Sequence, residues 1–517
     1  MIRISLATVK QTTPRIRNRP RFDRDADGLD AILVIIPVDA TAALLERLPE
    51  NERWLTAIGR RPAPGSVHVT TLSNPRQTRA IAGVLPAGAS SFDLLSLAGR
   101  MLKQLDQSLG TRAGSISALG LAAPRPATAG APPGADGAAL AALLGATLAH
   151  SFALPSFRKP DPDARPLQRI DVLGEVPDLA RLRAEAYGNN LARWLTALPP
   201  NKLTAATYRR LLGEAAREHD LSLRWLDEAA LRRLGCGAFL AVSAGNAKRT
   251  AGIAHLRYRP PRLKRRAAPD VALVGKGILF DTGGTNLKGH RGMLDMHTDM
   301  AGSAVALGVL CALAKLRAPL AVDCWLAISE NRTGPDAYVP QDVVTAANGL
   351  TIQVIHTDAE GRMALADTLV LAGRTAPRLM IDYATLTGAC VTALTDRMSG
   401  VFVNRPELTP AVMAAGTVSG ERVWPFPFEA DFDADLDSKV ADILQCTEDS
   451  KGDHILAARF LGRFVPEGTP WVHMDLSSAT RSGGLAHVNT TITGFGVRYT
   501  LELLRNGVEP LLHGAGS

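Results

Sequence analysis

The sequence predicts an α/β protein: a small N-terminal α/β domain followed by a larger α/β domain whose mixed, mostly parallel central sheet is covered by helices. Three observations carry this. From Leu29 onward, apolar runs of strand length alternate with segments of helical apolar spacing, the pattern of α/β folds. The 517 residues exceed one ordinary core, since a domain takes ~150 residues. Beyond Ala238 the alternation becomes regular and polar residues cluster just after each strand, where the loops of an open parallel sheet converge on a ligand.

Residues 1–27 are expected to form a basic, flexible leader. Arg3, Lys10, Arg15, Arg17, Arg19, Arg21 and Arg24 precede or closely follow the first acid, Asp23, and Ile2 to Val9 is too short and mixed for a secretory core. Residues 28–165 form the N-terminal α/β domain. In it, Leu29 to Pro37 reads as a buried strand closed by proline, and Thr41 to Leu48 as a helix with Thr41 as N-cap. Gly114 to Gly137, rich in Ala, Gly and Pro, reads as a loop or flexible excursion. Ala138 to Phe152 is apolar enough for a packed helix, and Pro155 to Pro166 is a connector. Residues 166–187 form a linker helix region and 188–517 the larger domain. Asp178 to Leu198, ended by Pro199-Pro200, is helical by period; Leu203 to Arg217 and Asp227 to Leu234 are further helices. Ala238 to Val242 reads as a short strand. Val271 to Val274, Leu320 to Ser329, Leu350 to Ile355 and Leu379 to Ala384 are strands, and Met363 to Ala372 is a helix.

Composition narrows the function. The apolar share of 46% and charged share of 21% are those of a globular protein. No uninterrupted apolar run approaches the ~20 residues a membrane helix needs, so no membrane partner is expected. Cys236, Cys311, Cys324, Cys390 and Cys446 form no Cys-x-x-Cys pair, which suits reduced, buried thiols in the cytoplasm. The net charge of +8 permits nucleic-acid binding, but no helix-turn-helix or aromatic-interleaved basic motif accompanies it. Nucleic acid is therefore not an expected partner.

The polar residues beyond the strands are Lys276, Asp281, Lys288, Asp299, Asp358, Glu360 and Arg362. His356 to Arg362 crowds two acids and a guanidinium onto a strand-to-helix turn, a costly arrangement unless a cation lies among them. Oxygen donors suit Mg²⁺, Mn²⁺ or Zn²⁺. Four carboxylates exceed the need of one ion, whereas two divalent ions ~3.5 to 4 Å apart would use them all. Lys288 and Arg362 would then remain to hold an anion. A lone Asp after a strand is more often a cap or turn residue. Gly275, Gly277, Gly283 and Gly284 serve turns or phosphate cradles equally well, although neither phosphate-loop spacing is present. Spacing alone leaves the metal reading open.

Val274 to Gly284, Asn286-Leu287-Lys288, Met296 to Met300, Thr357 to Arg362 and Ala384 to Ala389 resemble, in order and spacing, the successive motifs of the leucyl (cytosol) aminopeptidase family. The likeness runs from about Asn189 to Leu504 and is closest at Thr357 to Arg362. It implies a dinuclear metallo-exopeptidase that removes N-terminal, Leu-like residues from peptides. Lys276, Asp281, Asp299 and Glu360 would bind one ion, and Asp281, Asp358 and Glu360 the other, as Mn²⁺ or Zn²⁺, with Mg²⁺ also admissible. Lys288 would stabilise the gem-diolate, and Arg362 would hold a bicarbonate acting as general base. Met296, Thr385 and Gly388 would line the substrate side-chain pocket. The resemblance also implies a homohexamer and, as the alternative function, a moonlighting DNA-binding factor. Ser477 and Thr480 depart from the family's apolar pocket residues and point to a preference broadened toward smaller or polar side chains. His356 stands where relatives have Asn, and Arg332 to Asp336 forms a different loop. None of the seven core positions is substituted, so an active enzyme is expected.

Overall fold

The computed structural model describes residues 4–11, 13–19, 26–46, 48, 50–110, 116–124, 136–159, 166–261, 263 and 268–513. The chain divides into two compact units, chiefly Ala7–Ala186 with Ser482–Thr491, and Tyr187–Arg481 with Ile492–Ser517.

The smaller unit holds strands β1 (Arg15–Arg19), β2 (Ala31–Pro37), β3 (Val67–Thr71), β4 (Arg79–Leu85), β5 (Ala118–Ala122) and β6 (Arg169–Leu173). They form one sheet in the order β1-β6-β5-β2-β4-β3, parallel except for the β3–β4 pair. Alternation along β2 sends Leu33 and Ile35 to a core with Leu97, Met101 and Leu140, and Ile32 and Val34 to a core with Leu45 and Trp54. Both faces are thus buried, which is why β2 reads as an unbroken apolar run. Helix Ser91–Leu109 starts at a capping box between Ser90 and Asp93, and helix Gly137–His150 is capped by Asp136.

Four expectations change here. Arg15–Arg19, placed in a flexible leader, is a parallel edge strand held to β6 by its backbone; an edge strand needs little apolar alternation, so its charged sequence concealed it. Residues 1–3, 12 and 20–25 of that leader lie outside the described residues. The Ala/Gly/Pro-rich tract contains the fully buried β5, and its residues 114–115 and 125–135 lie outside the described residues. The expected linker helix region contains β6, whose last four residues are buried. Thr41 does not cap its helix: its hydroxyl donates to the carbonyls of Pro37 and Val38, and the helix spans only Thr41–Leu45 after a 3-10 turn.

The larger unit holds β7 (Ser222–Asp227), β8 (Gly252–Tyr258), β9 (Val271–Asp281), β10 (Val322–Asn331), β11 (Val343–Thr345) and β12 (Thr351–Gln353). After these come β13 (Leu379–Ala384), β14 (Ser399–Val403), β15 (Val423–Pro425), β16 (Ile443–Leu444) and β17 (Trp471–Asp475). The main sheet runs β15-β14-β17-β13-β9-β10-β8-β7. Its centre, β17-β13-β9-β10, is parallel, and antiparallel pairs flank it. Helix Glu360–Gly373 joins the core of one face with Ala272 and Val274, while helix Ala301–Leu316 packs against β9, β10 and β13. The stretch His290–Leu316 is long and apolar enough to cross a membrane, but 89% of its apolar window is buried inside the protein. It is a core helix. The five cysteines are free and buried.

Two further expectations change. Leu350 to Ile355 is not a full strand of the main sheet. Only Thr351–Gln353 pairs, in a separate sheet of order β11-β12-β16, because Ile352 and Val354 are buried while Thr351 and Gln353 turn their polar groups to Asp442 and Gln341. Ala238 to Val242 is helical, within Gly237–Ala244. A short apolar run has no decisive period, and this helix is capped from afar: the Phe239 amide donates to Asp367, which also accepts from Ala347.

Asp367 gives a testable pH dependence. Burial pushes its carboxyl up to about 7, against the lowering effect of the Phe239 and Ala347 amides. The folded value lies above the ordinary 3.8, so its stabilising contribution is complete below that value and is lost as pH rises through the folded one. Asp367→Asn removes this dependence. The Tm of the variant relative to wild type, in chelator-treated protein, is expected to rise between about pH 5 and about pH 8. A constant difference would refute the assignment.

Candidate metal centre

The carboxyl ends of the four central strands face one place. β9 supplies Lys276 and Asp281, five residues apart and so nominally on opposite faces. Between Ser329 and Asn331 of β10, however, the register shifts from Ile278 to Asp281. The extra residue in β9 is a bulge that resets the alternation and lets both side chains reach one side.

Asp299 follows the 3-10 turn Met296–Thr298. Asp358 and Glu360 lie on the turn that opens helix Glu360–Gly373. That turn is pinned by Thr357, whose hydroxyl donates to the Gly283 carbonyl (2.6 Å) and accepts from the Asn286 amide (2.8 Å). Asn331 donates to both Asp281 Oδ1 (2.8 Å) and the Thr357 carbonyl (3.0 Å). Gln445 accepts from the His356 amide and donates to the Ala359 carbonyl.

Lys276 is 3% exposed. Its Nζ lies 2.8 Å from Asp299 Oδ1 and 2.9 Å from Glu360 Oε1, and donates to the Thr385 carbonyl at 2.9 Å. Gly361 makes room for it: a Cβ there would lie 2.6 Å from Lys276 Nζ. Lys288 Nζ lies 3.0 Å from Asp281 Oδ2 and 2.5 Å from Asp358 Oδ1. Thr385 Oγ1 donates to Asp299 Oδ1 at 2.8 Å.

Lys276, Asp281, Lys288, Asp299, Asp358, Glu360 and Thr385 therefore form one cluster. Burial, which alone would lower the Lys276 pKa, is overcome by Asp299, Glu360 and Asp281, so its ammonium is held charged. Burial raises Asp299, Asp358 and Glu360, and mutual repulsion adds to it. Four carboxylates against two ammonium groups leave excess negative charge. Asp281, Asp358 and Glu360 each offer an oxygen within 4.8 Å of the others, and the buried Asp299 Oδ2 and Glu360 Oε2 have no hydrogen-bond partner among the described residues. Hard oxygen donors, surplus negative charge and unshared buried oxygens fit a divalent cation.

Arg362 is 2% exposed, and its Nη2 holds both Asp453 oxygens at 2.7 and 2.8 Å, while Nη1 donates to the Gln445 carbonyl. The guanidinium charge is thus already matched, which does not suit the added bicarbonate implied by the resemblance. Met296 is half-buried in the 3-10 turn, and Gly388 is exposed at the start of helix Gly388–Leu394 with open space where a Cβ would stand. The Ser477 hydroxyl donates to the Met398 carbonyl. His356 has an exposed ring whose Nδ1 accepts from the Asp358 amide at 3.3 Å. Asn331, Gln445, Asp453 and Tyr338, whose hydroxyl donates to the Thr357 carbonyl at 2.8 Å, were not legible in the sequence as parts of this site. Of these, only Asn331 carried a signal, its place at a strand's carboxyl end.

Residues 190–501 match the cytosol aminopeptidase family, catalytic domain. A probable cytosol aminopeptidase of Parasynechococcus marenigrum is 38% identical over 437 residues, spanning 82% of this chain and 85% of the relative. One of Rhodococcus erythropolis is 35% identical over 458 residues, spanning 86% and 85%. Among solved structures, the bottromycin maturation enzyme BotP in complex with Mn matches with a TM-score of 0.77 at 30% identity, over 92% of this chain and 99% of that one. A mutant of tomato leucine aminopeptidase matches with a TM-score of 0.80 at 26% identity, over 96% and 97%. With motifs, fold and acidic cluster in agreement, the chain belongs to the cytosol aminopeptidase family and is a metallo-exopeptidase acting on peptide N-termini.

Proposed function

We propose that this aminopeptidase uses two divalent cations, Mn²⁺ or Zn²⁺ with Mg²⁺ as a third option, to remove Leu-like and smaller N-terminal residues from peptides. The observation that carries it is the single cluster of four carboxylates with two unshared buried oxygens. Lys276, Asp281, Asp299 and Glu360 would hold one ion, and Asp281, Asp358 and Glu360 the other. When bound, the cations polarise the scissile carbonyl, acidify a water and hold the free α-amine that an internal peptide bond lacks.

Lys276 in that state is a neutral amine, its proton displaced by the adjacent cations. Lys288, at the more open side of the cluster (17% exposed), donates to the developing oxyanion. Thr385 aligns Asp299 and Lys276 through its hydroxyl and carbonyl. Met296, Thr385 and Gly388 border the side-chain pocket, with Ser477 adding room. The homohexamer rests on the resemblance alone. The cytoplasmic location has the support of the relatives' cytosol aminopeptidase name and of the five free cysteines.

The test is hydrolysis of leucyl amide, expected with Mn²⁺ or Zn²⁺, lost in chelator and absent with N-acetylleucyl amide. Equal turnover of the blocked amide rejects the exopeptidase reading. Lys288→Ala is expected to lower kcat about 10²-fold with little change in KM, measured on the same amide. A change confined to KM would show that Lys288 only binds substrate.

A further inference from the structure

Arg362 and Asp453 make a buried ion pair inside the catalytic unit, in which Nη1 and Nη2 are satisfied and Nε finds no hydrogen-bond partner among the described residues. Asp453 is the first residue of helix Asp453–Gly462, reached through Gly452 in the left-handed region at φ 60°, and the helix start favours a carboxylate there. Both its oxygens lie on the single nitrogen Nη2 of the buried Arg362 guanidinium, at 2.7 and 2.8 Å, charge-assisted hydrogen bonds of the stronger kind. The pair adjoins the metal cluster: Glu360, two residues before Arg362, helps hold its guanidinium charged, and Asp453 acts electrostatically on His356, whose ring Nδ1 accepts from the Asp358 amide. A bicarbonate on Arg362 would be a second anion for one cation, beside four further carboxylates. Displacing Asp453 would in turn leave its partly buried carboxylate, 19% exposed, without its guanidinium, a costly exchange.

We propose that Asp453 is itself the anion of Arg362, occupying the place that the resemblance gives to bicarbonate, so that this enzyme works without a bound bicarbonate. The inference rests on the aminopeptidase reading and deepens it. Asp453 is a positioning residue: it acts through Arg362, fixing beside the cluster the negative charge that a free anion would otherwise bring.

The test uses the full chain and bicarbonate itself. ¹³C-bicarbonate line broadening, measured on metal-free protein, is expected to be absent for wild type and present for Asp453→Ala, in which the place is vacated. With metal bound, wild-type leucyl amide hydrolysis should be equal in CO2-free and bicarbonate-supplemented buffer. Asp453→Ala should lose about 10²-fold in kcat and recover most of it on adding bicarbonate, a rescue that a merely structural role would not show. Bicarbonate binding by wild type, or a wild-type rate that falls in CO2-free buffer and returns with bicarbonate, overturns the proposal. If Asp453→Ala fails to fold, the wild-type binding and rate measurements still decide. Absence of any amide hydrolysis by wild type overturns the parent reading, while the binding measurement continues to judge this one.

Discussion

Glu360→Ala is expected to lower kcat/KM for leucyl amide by about 10³-fold and to remove bound divalent metal, without lowering the Tm of the metal-free protein. Glu360 is 1% exposed. Its Oε1 meets Lys276, and its Oε2 has no hydrogen-bond partner among the described residues. In the proposed assignment this is the one side chain besides Asp281 shared by both ions, so its loss weakens both. Burial and the charges of Asp281 and Asp358 disfavour the ionised Glu360, so in the metal-free fold this group is a liability held for function. Metal content by elemental analysis, amide hydrolysis and chelator-treated melting curves read the three effects separately. A variant with normal metal content and turnover removes Glu360 from the centre, and a large loss of apo stability makes it a structural residue instead.

The contrast between Glu360 and Asp453 shows what a sequence exposes. Asp299, Asp358 and Glu360 stand just beyond turns, and Lys276 and Asp281 in the carboxyl half of β9 after a plain apolar run, and a parallel sheet brings such positions together whatever the details of packing. Asp453 lies ninety-one positions from Arg362 in a polar stretch with no strand to announce it, and its partner follows only from where helix Asp453–Gly462 docks. Asp367 is hidden in the same way: it looks like one polar residue of an apolar helix, yet it caps another helix across the core. The bulge in β9 was equally silent, since nothing in Val271 to Asp281 marks the residue at which the pairing slips. At the other end of the chain, Arg15–Arg19 pairs by backbone, an interaction that side-chain patterns record weakly. Local chemistry and strand ends are legible, whereas long-range polar pairing and edge strands are not.

Gly361→Ala is the substitution in which helix propensity and packing disagree most. Within helix Glu360–Gly373, alanine should gain about 1 kcal/mol over glycine. Against this, the new Cβ would stand 2.6, 2.7 and 2.9 Å from Lys276 Nζ, Cε and Cδ. Lys276 cannot yield cheaply, because its Nζ is fixed by Asp299, Glu360 and the Thr385 carbonyl in a fully buried place. Overpacking costs about 1 to 3 kcal/mol, and moving the ammonium leaves buried acids unpaired, so packing wins. The expected result is a lower Tm, together with loss of metal binding and about 10³-fold in kcat/KM, because a proposed ligand is displaced. Gly213→Ala is the control. It lies in helix Ala205–Glu218, where a Cβ would meet only the Arg217 guanidinium end at 3.6 Å, and it should stabilise by about 1 kcal/mol with activity unchanged. If Gly361→Ala also stabilises and keeps its turnover, Lys276 has freedom that this packing denies it, and its assignment as a fixed ligand fails.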